Sequence, residues 1–66
     1  MKASELRQWV GKEIEWDDLP DDRGWYRTWS GRVMDVQGRN VLVDDKGSHD
    51  WKWLPKMRNV RLKSST

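Results

Sequence analysis

Residues 49–58 read His-Asp-Trp-Lys-Trp-Leu-Pro-Lys-Met-Arg, with two indoles two positions apart beside Lys52, Lys56 and Arg58. Flat rings that stack on bases, next to cations that track phosphates, are the two ingredients with which proteins hold nucleic-acid strands. Arg61 and Lys63 continue the basic run, so Lys52 to Lys63 carries five Lys/Arg and no acid. Arg27, Arg32 and Arg39 belong to a neighbouring predicted hairpin and extend the same candidate surface. One base stacked on an exposed ring contributes roughly 1–3 kcal/mol, and each neutralised phosphate adds a salt-dependent increment. A competing reading is structural. Tryptophans fill cores, and Lys and Arg stems cover rings on ordinary surfaces. Trp53, just before the Leu54-Pro55 break, and Trp29, near Gly31 and Val33, are expected in the core; Trp25 and Trp51 are expected to be the most exposed.

Other chemistries lack their ingredients. Ser48, His49 and Asp50 contain the residue types of a hydrolytic triad, but consecutive residues of a strand point to opposite faces and cannot align as nucleophile, base and orienter. His49 is the only histidine and there is no cysteine, so His49 is expected in solvent at a turn end and no enzymatic role is expected. Asp17, Asp18, Asp21 and Asp22 crowd four carboxylates into one stretch. Their spacing lacks the alternating acids and central glycine of a calcium loop, so a solvated loop without metal is expected. Glycine-rich phosphate loops are absent, and no cofactor is expected. A second binding surface is legible in Trp16, Trp25 and Tyr26 beside the acidic 17–22 loop, a groove suited to a basic or proline-rich peptide.

Sixty-six residues make one domain, and a chain this short buries only about 60% of its unfolded surface. Phenylalanine is absent and aliphatic residues are few, so the six tryptophans are expected to supply much of the core, three or four of them inside. Without cysteine no disulfide can form. With no apolar leader and no span of about 18 apolar residues, a cytoplasmic monomer is expected. The net charge of +2 is uneven: residues 1–30 hold five Lys/Arg and seven Asp/Glu, and residues 31–66 hold eight and four. A basic half of this kind suits a polyanion partner.

The elements follow from periodicity. Ser4 reads as an N-cap and Leu6, Trp9 and Val10 as one apolar stripe, predicting a helix over 4–10 that ends at Gly11. From residue 12 alternation takes over: Ile14 and Trp16 on one face of a first strand, then a loop, then a long strand from Trp25 to Val36 with Gly31 as its bulge or kink. Gly38-Arg39-Asn40 marks a hairpin turn, Val41 and Val43 alternate inward, and 44–48 turns again. A fourth strand over 49–54 is stopped by Pro55. A single 3₁₀ turn follows, then a last strand at Val60–Leu62, within a barrel spanning 12–63 and a frayed tail at 64–66. Five short strands with one kinked member predict a mainly β chain that closes into a small barrel, which removes exposed strand edges.

Gly24-Trp25-Tyr26-Arg27, Gly31, Val33, Val36, Gly38, Val41-Leu42-Val43-Asp44-Asp45, Gly47 and Ser48 together resemble the SH3-like barrels, specifically their Tudor-like branch, over about residues 12 to 62. The resemblance implies a five-stranded barrel with a 3₁₀ turn before the last strand. Tudor readers hold methylated side chains in an aromatic cage. Here Lys46 stands where the family's turn tyrosine belongs and Asp44 where a further aromatic would follow the valine strand. A cage would have to be rebuilt from Trp16, Trp25, Tyr26 and Trp51, so methyl-reading is not inferred. Similar barrels in bacterial and phage proteins are implied to be nucleic-acid or protein adaptors. The expected function is non-catalytic binding of DNA or RNA through Trp51, Lys52, Lys56, Arg58, Arg61, Lys63, Arg27 and Arg39. The alternative is a protein-interaction adaptor, with an accessory subunit or small inhibitor of a larger machine as a third expectation.

Overall fold

The computed structural model describes residues 1–63, so the predicted tail at 64–66 lies outside the described residues. A short helix α1 (Ala3–Leu6) tightens into a 3₁₀ turn over Arg7–Trp9. Five strands follow among the described residues: β1 (Glu13–Asp17), β2 (Thr28–Gln37), β3 (Asn40–Asp45), β4 (Ser48–Trp53) and β5 (Arg58–Leu62), with a 3₁₀ turn at Leu54–Lys56 between the last two. They form one antiparallel sheet in the order β4-β3-β2-β1-β5. The chain is mainly β, as the alternation predicts.

The N-terminal segment departs from expectation in its details. The cap position is Lys2, which makes no side-chain capping bond, and Ser4 lies within the helix. Leu6 is fully buried, but Trp9 is half-buried and Val10 exposed. The cause is the change to three residues per turn after Leu6, which rotates the i+3/i+4 stripe away from the core, and the extended ψ of 129° at Val10. Gly11 takes φ +90°, and its N–H donates to the Val33 carbonyl at 2.7 Å, tying this segment to the sheet.

Strand β2 begins at Thr28, three residues later than predicted. Asp21 explains the delay: its Oδ1 accepts the N–H of Arg23 at 2.9 Å and of Trp25 at 3.0 Å, and its own N–H donates to the Trp25 carbonyl at 2.9 Å. An aspartate that satisfies nearby backbone donors offers the chain an alternative to a ladder.

The irregularity in β2 also falls elsewhere than Gly31. Gly31 pairs in register with Ile14, and the shift lies between Val33 and Asp35, at Met34. One extra residue flips the side-chain parity, which is why Val33 and Val36 both reach the core from one strand. Gly31 has a different reason to lack a side chain: a Cβ there would sit 3.1 Å from the Asp44 carbonyl oxygen. The two hairpin turns are tight. Gly38-Arg39 joins β2 to β3 with φ +60° at Gly38. Lys46-Gly47 joins β3 to β4 with φ of 52° and 88°, the two positive values a type I′ hairpin demands.

The core comprises Leu6, Ile14, Trp16, Val33, Val36, Val41, Val43, Leu54 and Met57. It holds one indole, not three or four. Register decides this. Lys52 sits opposite Val41 and Asp50 opposite Val43, so Trp51 and Trp53 share the other face with Leu42 and Asn40. Leu54, not Trp53, turns into the core. Trp29 pairs with Trp16 on the core side, but the β2–β3 ladder starts only at Arg32, so nothing from β3 covers it.

Candidate nucleic-acid interface

Four indoles are therefore left exposed, and Trp9 is half-buried. Trp16 is 4% exposed, whereas Trp29 is 38%, Trp53 45%, Trp51 47% and Trp25 73%. Trp51 and Trp25 are the most exposed tryptophans, as expected; Trp29 and Trp53 are not core residues, contrary to expectation. Exposed large aromatics grouped on one part of a surface mark contact sites more often than chance exposure does.

Trp29, Trp51 and Trp53 meet in a cleft of about 210 Å³ at the β4 edge, whose other walls are Trp16, Asp18, Lys52, Lys56 and Met57. β4 is the last strand on its side of the sheet, so a molecule lying along it touches side chains from both faces. This brings Lys52 together with the two indoles from which strand parity separates it. The cleft's one acid, Asp18, accepts the Trp29 indole N–H at 3.1 Å. Cations flank that indole: the Arg27 guanidinium and the Lys52 ammonium each lie 5.8 Å from its centroid, within the reach of a cation–π contact. Lys52 also pairs with Asp50 at 3.0 Å, and this hydrogen bond and charge hold the Asp50 carboxyl below the usual carboxylate range.

On the other side of the Leu54–Lys56 turn lies a second cleft, of about 450 Å³, lined by Met1, Lys2, Ala3, Arg39, Leu54, Pro55 and Met57. Met57 belongs to both clefts. The turn is therefore ringed by Lys2, Arg39, Lys52 and Lys56, and Lys2, Arg39 and Lys56 make no ion pair among the described residues. Sequence reasoning missed Lys2. Its placement follows from Ala3 packing against the core next to Leu54, a contact between chain ends that no local pattern announces.

The remaining cations of the basic run are dispersed. Arg61 is committed to carboxylates, with Nη1 3.2 Å from Asp17 and Nη2 3.8 Å from Glu15. Its bonds help hold the Asp17 carboxyl below the usual range, although the largest cause is the Thr28 hydroxyl donating to Asp17 at 2.9 Å. Lys63 sits beside Gly11, Lys12, Glu13 and Arg32, and Arg32 faces Glu13 at 3.9 Å. Arg58 lines a groove of about 280 Å³ with Asp17, Asp18, Pro20, Tyr26 and Asn59. That groove is the structural counterpart of the predicted peptide surface. Of Trp16, Trp25 and Tyr26 it is lined by Tyr26 alone; the Trp16 ring is buried because Ile14 and Trp16 form the inward parity of β1.

His49 lies on β4, with Nε2 3.6 Å from the Asp44 carboxylate. No three His, Cys, Asp or Glu residues converge as metal ligands among the described residues. No helix among them is long and apolar enough to cross a membrane. No family model, no curated protein and no solved structure matches this chain.

Proposed function

We propose that this chain is a non-catalytic binding module that holds nucleic acid across the Leu54–Lys56 turn. The carrying observation is the coincidence there of four cations, Lys2, Arg39, Lys52 and Lys56, with the exposed rings of Trp29, Trp51 and Trp53. Phosphates track the cations while bases meet the rings. Arg61 and Lys63 are left out of this site, because Arg61 is held by Asp17 and Glu15 and Lys63 lies beside Gly11, Lys12 and Arg32, away from the turn. The strand order β4-β3-β2-β1-β5 with a 3₁₀ turn before β5 supports the resemblance to SH3-like, Tudor-like barrels.

Four phosphate contacts give log K against log salt a slope between about −2.8 and −3.6, taking roughly 0.7 to 0.9 per contact. Fluorescence anisotropy with labelled oligonucleotides from 50 to 300 mM salt measures it. Arg39→Glu with Lys56→Glu should weaken binding at every sequence and flatten the slope. If oligonucleotides do not bind at low salt, or bind with no salt dependence, the proposal fails.

One observation favours a second reading, the protein adaptor. Trp25 is 73% exposed on a loop that Asp21 fixes through four hydrogen bonds, and Tyr26 lines the adjacent acidic groove. A lysine- and proline-rich peptide titrated into labelled protein should shift the Trp25 and Tyr26 resonances. Unchanged resonances remove this reading.

A further inference from the structure

Trp51 and Trp53 are alternate residues of one extended strand. At about 3.4 Å of rise per residue, their Cα atoms stand about 6.8 Å apart with side chains on the same face. Stacked bases are about 3.4 Å apart along a strand. The interval between the two indoles therefore equals two stacking distances, the room needed for one flat ring between two others. Their cross-strand partners stand beside them on the same face: Leu42 opposite Trp51, half-buried, and Asn40 opposite Trp53, exposed. An apolar side chain and an amide beside two rings suit a nucleobase, because an asparagine amide both donates and accepts. Lys52 and Lys56, in the same cleft as the two rings, supply the adjoining backbone charge.

We propose that Trp51 and Trp53 are the walls of a slot for one unstacked nucleobase, so that the site takes single strands and rejects duplex. This rests on the nucleic-acid reading above and adds a requirement which that reading does not make. Bases in a duplex are occupied on both faces by their neighbours, and pulling one out costs several kcal/mol. A single strand can offer a base at little cost.

Three probes of equal length test the slot: single-stranded oligothymidine, the same backbone with abasic sites, and a duplex. Oligothymidine should bind at least about tenfold more tightly than either of the others. Trp51→Ala and Trp53→Ala should each lose roughly 5- to 150-fold for oligothymidine, and the double variant should lose no more than the worse single one, because one wall alone makes no slot. Trp51→Phe and Trp53→Phe should retain most of the binding, and circular dichroism establishes that every variant is folded. Equal, salt-dependent binding of all three probes, or losses that simply add, would overturn the slot while leaving the phosphate-tracking site in place. Binding of none of them would overturn both.

Discussion

Replacing Trp16 by Ala sets the architecture its severest test. Its ring is 4% exposed, so nearly all of its roughly 150–250 Å² leaves water on folding. At about 25 cal/mol per Å² this is about 4–6 kcal/mol of transfer free energy, and measured Trp→Ala costs in cores run about 3–5 kcal/mol. A chain of 66 residues at roughly 0.05–0.15 kcal/mol per residue has only about 3–10 kcal/mol in total. Trp16→Ala should therefore be unfolded near physiological temperature, or melt at least about 12 °C lower, since 1 kcal/mol shifts a domain of this size by about 4–8 °C. Trp25→Ala is the matched control. That ring is 73% exposed, and the bond Asp21 makes at this position goes to the Trp25 backbone, so its removal should stay within about 0.5 kcal/mol. Urea and thermal unfolding followed by far-ultraviolet circular dichroism measure both, free of the change in indole fluorescence. A Trp16→Ala protein melting within about 4 °C of the parent, or a Trp25→Ala protein that collapses, would refute the assignment of the core.

Three further expectations follow from local geometry. Asp17 titrates below the usual range because of its bonds to Thr28 and Arg61. A carboxylate with a lowered folded pKa stabilises fully above its unfolded value of about 4 and loses that contribution as pH falls through the folded one; Asp17→Asn should flatten acid unfolding below about pH 4, followed by melting temperature against pH. Lys46 holds φ 52° in the β3–β4 turn, a conformation costly for most side chains but routine for asparagine, so Lys46→Asn should stabilise by about 0.5–1 kcal/mol in urea unfolding. Gly31→Val places a Cβ 3.1 Å from the Asp44 oxygen and 3.4 Å from the Val43 Cβ, and the crowding should cost about 1–3 kcal/mol by the same measurement.

The fold was legible wherever a local rule had no competitor. Alternating valines marked β3, Gly38 and Gly47 marked turns, and Pro55 marked the 3₁₀ turn. It was illegible where another contact outweighed the alternation. The Asp21 carboxylate held residues 23–25 out of β2, and the bulge at Met34 did the work assigned to Gly31. The first is a side-chain bond to nearby backbone that competes with strand alternation; the second depends on which neighbour a strand acquires, and alternation within one strand carries no record of its neighbour.

The tryptophan count shows the same limit more sharply, and it bears on function. Six indoles in a short chain suggested a tryptophan core, yet strand register placed Val41 and Val43 inward and thereby fixed Trp51 and Trp53 outward. A one-residue slip of β4 would turn the indoles inward and Lys52 outward. Aliphatic residues from α1, β1, β2, β3 and the Leu54–Lys56 turn fill the interior around a single ring, so the other exposed indoles are not needed inside. The charges obey the same logic. Arg61 and Lys63 belong to the basic run in sequence, but β5 pairs with β1, which presents Glu13, Glu15 and Asp17 to them. Lys2 and Arg39, far from that run, arrive beside Leu54 and Pro55 because α1 and the β2–β3 turn meet the same 3₁₀ turn. Removing Lys2 should thus weaken oligonucleotide binding more than removing Arg61, an ordering that charge counted along the chain would reverse.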